Sequence, residues 1–144
     1  MTQNLITVGW CEWVFLPELQ LPPIKAKIDT GAKTSCLHAF SVDPFMKGEK
    51  EWVRFGMRPH QKDTQTEVFC EAMVTDQRDV TDSGGHKEKR YVITTQLVIA
   101  DQQWPIEMTL TNRDTMRFRM LLGREAMEQR IIVDPSASYL LGEQ

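Results

Sequence analysis

Apolar and polar residues alternate with period two along most of this 144-residue chain, a pattern that dictates strands with one buried face. The alternation marks candidate strands at 5–15, 24–28, 52–57, 68–74, 91–99, 106–111 and 131–133. Turn chemistry separates them at Asp43-Pro44, Asp82-Ser83-Gly84-Gly85, Asp101-Gln102 and Asp134-Pro135. One segment, 124–130, carries a run of good helix formers and predicts a short helix. Many short strands and one late helix predict an all-β fold, a barrel or a sandwich. We take the closed barrel as the expectation.

The length suits a single domain over residues 1–144, with a core that needs no covalent staples. A net charge of −3 argues against nucleic acid as a partner. Cys11, Cys36 and Cys70 make an odd count, which fits a reducing compartment better than a disulfide framework. The first residues show no basic region with a cleavage site, and no apolar run approaches the roughly 18 residues of a membrane span. The expectation is a soluble cytoplasmic protein with no membrane partner.

One strand ends on chemistry. Residues 24–28 deliver Asp29-Thr30-Gly31-Ala32. Glycine permits a tight turn and close approach of another backbone. The threonine hydroxyl can bond a neighbouring loop. Such a turn can hold a carboxylate at the floor of a cleft, although Asp and Gly are also ordinary turn residues. A second segment strengthens the reading. Met120-Leu121-Leu122-Gly123-Arg124 is an apolar strand that ends in glycine and opens the helix.

In that order, the two segments resemble the retropepsin family of aspartic peptidases. A longer set of strings resembles the RimK-associated, RimB-like family, historically labelled "ATP-dependent zinc protease". It comprises Val8-Gly9-Trp10, residues 25–35, Leu37-His38-Ala39, residues 81–86, residues 110–114 and residues 121–124. The resemblance implies a retropepsin-like acid-protease barrel that works as a homodimer. It also implies a bacterial context beside a RimK-type ligase that adds glutamates to a ribosomal protein, and a role in trimming those tails.

On that resemblance Asp29, Thr30 and Gly31 form the catalytic loop, and each protomer of a two-fold pair contributes one Asp29. Two carboxylates in contact share a proton, which suits activation of a water. Leu121, Leu122, Gly123 and Arg124 support the loop from beneath. The substrate side is expected at Ala32, Lys33 and Thr34, at Arg113, and at a flap tip formed by Ser83, Gly84, Gly85 and His86. The tip reads equally well as a plain hairpin turn. Lys33 stands where retropepsins usually place an acidic residue, and a cation there favours acidic side chains on the substrate. His38, Arg117 and Arg119 adjoin the motifs and can add to that field.

The zinc label finds little support. There is no His-Glu-x-x-His and no Cys-x-x-Cys string. Cys36 and His38 are two apart, so on a strand they would point to one face, and with Cys70, His60 or His86 they could in principle assemble a metal site. No phosphate-binding Gly-rich loop exists, so no cofactor is expected. A Cys36–His38 thiol peptidase lacks a third group to orient the base. A different class of function stays open: a non-catalytic partner that binds the ligase or the ribosomal protein.

Overall fold

The computed structural model describes residues 5–60, 65–81, 84–112 and 117–142. In chain order the elements are β1 (Ile6–Val8), β2 (Cys11–Val14), β3 (Ile24–Ile28), β4 (Ser35–Ala39), β5 (Ser41–Lys47) and β6 (Lys50–Met57). There follow β7 (Val68–Met73), β8 (Asp76–Thr81), β9 (Lys87–Ile99), β10 (Gln102–Asn112), β11 (Met120–Leu122), α1 (Arg124–Met127) and β12 (Ile131–Val133). A 3-10 turn, Pro17–Leu19, lies between β2 and β3. The all-β expectation holds. No described helix is long and apolar enough to cross a membrane.

Seven strands form the main sheet in the order β2-β3-β11-β4-β10-β9-β8. The three strands β5-β6-β7 make a separate antiparallel sheet, and β1 pairs with β12 in parallel. The alternation drives the burial. In β3, Ile24, Ala26 and Ile28 are buried while Lys25 and Lys27 face outward. Leu37, Phe55, Leu97, Met108, Met120 and Leu122 fill the centre of one continuous core.

The expected closed barrel is not formed. The main sheet curls until Phe15, just past β2, meets Val98 of β9 through two backbone hydrogen bonds of 3.0 and 2.8 Å. That ladder cannot lengthen, because Pro17 follows at once, lacks an N–H and starts the 3-10 turn. The strand β8 therefore remains an open edge beyond β9.

Other expectations move locally. Segment 5–15 is split between β1 and β2 at Gly9, whose missing side chain lets Ala137 approach. Asp43-Pro44 is no turn. It lies within β5, an edge strand, where proline costs no ladder hydrogen bond. The helix is four residues long, because Glu128 turns extended and Gln129 adopts a left-handed φ of 64°.

Glu12 locks the two ends of the chain together. It is fully buried, and its carboxylate accepts N–H bonds from Gly9, Leu140 and Leu141 at 2.7, 2.8 and 3.1 Å. Glu12→Ala leaves those donors without acceptors, at 1–3 kcal/mol for a buried one. We expect a loss of about 3 kcal/mol in urea unfolding, with amide exchange rising first at Leu140 and Leu141.

Cys70 sets an alkaline limit. Its buried thiol donates to the Leu19 carbonyl at 3.4 Å, and burial pushes it up from 9.0 to about 12. Between those values the unfolded thiol has lost its proton and the folded one keeps it. Stability therefore falls as pH rises through that window. Urea midpoints measured across the window should fall less steeply in Cys70→Ala than in the parent.

Candidate active site

Asp29 sits half-buried where β3 ends, and its backbone is pinned on both sides. Its N–H donates to the Leu122 carbonyl at 2.9 Å, and its carbonyl accepts from Ala32 N–H at 3.2 Å. Its Oδ1 accepts the Gly31 N–H at 3.0 Å, which fixes the carboxylate against its own turn. The entry to α1 completes the clamp. The first N–H groups of a helix lack partners within it. Here Arg124 N–H bonds the Ala32 carbonyl at 2.8 Å and Glu125 N–H bonds the Lys33 carbonyl at 3.1 Å. Gly123 N–H donates to Ser35 Oγ at 2.9 Å, and Arg124 Nη1 donates to the Thr30 carbonyl at 3.3 Å.

Glycine is required at 123 by contact. A Cβ there would lie 2.6 Å from the Thr34 carbonyl carbon and 2.9 Å from Ser35 N, both backbone atoms. The strand β11 can be inserted between β3 and β4 only at that spacing.

Beside this loop opens a cleft of about 640 Å³. One wall is Gly31, Ala32, Lys33 and Thr34, with Leu121 below. The opposite wall is the β8–β9 hairpin, which contributes Arg78, Val80 and Arg90. Glu107 and Thr109 of β10 and Cys36 of β4 also line it. Lys33 is 72% exposed, with Glu125 at 3.6 Å. Arg78 is saturated. Its Nε donates to Asp76 at 2.8 Å, and its terminal nitrogens bond both oxygens of Glu107 at 3.1 and 2.8 Å. Those contacts raise its proton affinity and hold Asp76 below the usual carboxylate range.

The structure thus gathers Asp29 to Thr34 with Leu121 to Arg124. Gly84, Gly85 and His86 stand exposed at the hairpin tip, outside the cleft lining. Asp82, Ser83 and Arg113 lie outside the described residues. His38 is buried in β4, exposed Arg117 stacks on Phe118, and Arg119 is buried with its Nε donating to the Arg58 carbonyl. Among the described residues no three His, Cys, Asp or Glu side chains converge to hold a metal ion.

Arg78 and Arg90 were missed by the sequence reading. The signal was available: a hairpin turning at Gly84 places Arg78 opposite Arg90.

Gly123→Ala should cost about 3 kcal/mol, since neither contacting backbone atom can retreat. Ser35→Ala, which removes only the acceptor for Gly123 N–H, should cost about 1 kcal/mol. Chemical denaturation of both variants checks the order.

Known proteins match this architecture. A family described as "Retropepsin-like aspartic endopeptidase RimB" matches residues 7–144. A "Probable alpha-L-glutamate ligase" of Parasynechococcus marenigrum is 51% identical over 99% of this chain, and one of Shewanella pealeana is 44% identical over all of it. The chain spans only 30% and 31% of the length of those two relatives. A crystal structure of a Legionella pneumophila protein of unknown function superposes with a TM-score of 0.78 at 25% identity, covering 96% of this chain and 99% of that one. The clamped Asp-Thr-Gly loop, its partner strand ending in Gly123 and the match across residues 7–144 make one conclusion: this chain belongs to the RimB-like family of retropepsin-like aspartic endopeptidases.

Proposed function

We propose that this protein is an aspartic peptidase that acts as a homodimer in the cytoplasm and trims glutamate tails from a ribosomal protein modified by a RimK-type ligase. The observation that carries the reading is the Asp29 loop, clamped by residues 122–125 at the side of a cleft that also gathers Lys33, Arg78 and Arg90. The chain has one Asp-Thr-Gly sequence, so a second copy supplies the second carboxylate. Leu5, Trp10, Ile132 and Leu140 are exposed on and around the β1–β12 ladder, apolar surface of the kind a partner copy covers. The relatives named as glutamate ligases support glutamate as the side chain handled.

In the reaction, the ionised carboxylate of the pair takes a proton from water, and the water oxygen adds to the amide carbon. The protonated carboxyl bonds the carbonyl oxygen as charge develops there. The amide nitrogen then receives a proton, the C–N bond breaks, and a carboxylate and an amine leave. Gly31 lets the substrate backbone pass close to Asp29. Thr30 ties the paired loops, Ala32 and Thr34 shape the near wall, and Lys33 attracts the tail at the rim. In this reading Ser83, Gly84, Gly85 and His86 serve as the flap tip and Arg113 as a further cation for the acidic tail.

A second reading rests on the relatives' length: their names refer to proteins about three times as long as this region. In that reading the domain binds the ligase or its substrate without turnover. Purified chain incubated with a glutamate-tailed ribosomal protein separates the two. Glutamate or short glutamyl peptides should appear by mass spectrometry, and Asp29→Asn should reduce their release at least about a thousandfold. Release undiminished by Asp29→Asn overturns the peptidase reading. No release, with binding to the ligase intact, supports the second.

A further inference from the structure

Arg78 and Arg90 face each other across the β8–β9 hairpin, and both line the cleft. Like charges placed opposite one another repel, so each needs its own counter-charge. The two are served very differently. Every nitrogen of Arg78 has a partner at 2.8–3.1 Å. The Arg90 side chain is only 12% exposed, yet its Nη2 reaches Glu88 at 3.4 Å and its Nη1 reaches the Cys36 sulfur at 3.6 Å. Its Nε is buried and meets no acceptor among the described residues. A guanidinium–carboxylate bond normally measures about 2.7–2.9 Å. By that standard Arg90 is a desolvated cation with long, weak partners.

Of the other charges of the cleft, Glu107, Arg78, Glu125 and Lys33 are already engaged. Glu107 is held by Arg78, and Glu125 pairs with Lys33. Asp79 is exposed on the hairpin. Glu88 is itself tethered, because its Oε1 accepts the Thr111 hydroxyl at 2.9 Å. That tether keeps the Glu88 carboxylate from moving in to grip Arg90 more closely.

We propose that Arg90 is the receptor for a side-chain carboxylate of the bound peptide, with Glu88 and Thr111 as its positioning residues. This rests on the peptidase reading and names the contact that makes that site prefer acidic residues. The planar fork of Nη1 and Nη2 matches a carboxylate and displaces two weak contacts with two strong ones. A glutamine side chain offers one acceptor oxygen and no charge, so it gains far less. Lys33, at the exposed rim, acts on encounter; Arg90, in the wall, sets the choice of side chain.

The test uses the full chain carrying Asp29→Asn, so that binding is read without turnover, with fluorescent tetraglutamate and tetraglutamine peptides as probes. Tetraglutamate should bind at least about tenfold more tightly than tetraglutamine. Arg90→Met should reduce that ratio to near one by weakening tetraglutamate alone, and Arg90→Lys should retain part of it. Inorganic phosphate at millimolar concentration serves as a competitor. Competition as effective as that of tetraglutamate would make Arg90 a general anion site and overturn the assignment. So would equal weakening of both peptides by Arg90→Met and Arg90→Lys, which is the signature of a merely structural role. No binding of either peptide also overturns it.

With Asp29 restored, Arg90→Met should lower kcat/KM for the glutamate peptide and leave the glutamine peptide unchanged. If neither peptide is cleaved but the Arg90-dependent preference persists, the peptidase reading fails and the receptor stands.

Discussion

The site depends on one close approach: the backbone at Gly123 against the backbone of Thr34 and Ser35. Because no side chain intervenes, β11 fits between β3 and β4, parallel to the first and antiparallel to the second. The same contact brings the free N–H groups at the start of α1 onto the carbonyls of the Asp29 loop. Gly123 and Ser35 are 88 residues apart in sequence, so the loop has no local means of holding its shape. The geometry of the Asp29 loop is a property of the assembled sheet. A change at Gly123 reaches Asp29 through Leu122, whose carbonyl holds the Asp29 N–H.

The facing wall follows different physics. The strand β8 is an open edge of the main sheet; its hairpin partner β9 is held to β10 by an antiparallel ladder, and Arg78 of β8 adds an electrostatic anchor. Arg78 grips Glu107 of β10 through two parallel bonds, and Asp76 completes its neutralisation. The hairpin is thereby fixed near its base, while Gly84, Gly85 and His86 at the tip stay exposed. One arginine of the cross-strand pair is spent on structure. Arg90, directly opposite, is more deeply buried but lacks an equally close partner, and it lines the same cleft.

What could be read from sequence tracks how local the determining physics is. The strand into Asp29 was legible because Ile24, Ala26 and Ile28 alternate against two lysines. The strand into Gly123 was legible because the apolar run stops at a glycine. The strands β4 and β8 were not recognised. Every residue of β4 is buried, so it shows no alternation, and β8, an open edge, is mostly exposed and half charged. Asp43-Pro44 reads as a turn locally, and only its edge position lets it stay extended. The barrel expectation failed on the strand that Pro17 stops after one bridge. At the site, the Asp29 loop and its clamp were visible as motifs. Arg90 was invisible because its importance lies in what its neighbours do: Arg78 takes up Asp76 and Glu107, and Thr111 tethers Glu88.

The two ends of the chain bear on the same loop. A three-residue parallel pair such as β1–β12 is marginal by itself. It is held here by Glu12 and by backbone bonds from Asp134 to Val8, from Trp10 to Ala137 and from Tyr139 to Cys11. Trp10 also accepts the Ile28 N–H at 2.8 Å, one residue before Asp29. The exposed apolar side chains Leu5, Trp10, Ile132 and Leu140 therefore sit on a module hydrogen-bonded to the strand that delivers the carboxylate. In the proposed homodimer, a copy docking on that module would press on the base of the Asp29 turn. In the homodimer proposed above, association and alignment of the two carboxylates would then be one event, because Trp10 on that module accepts the Ile28 N–H.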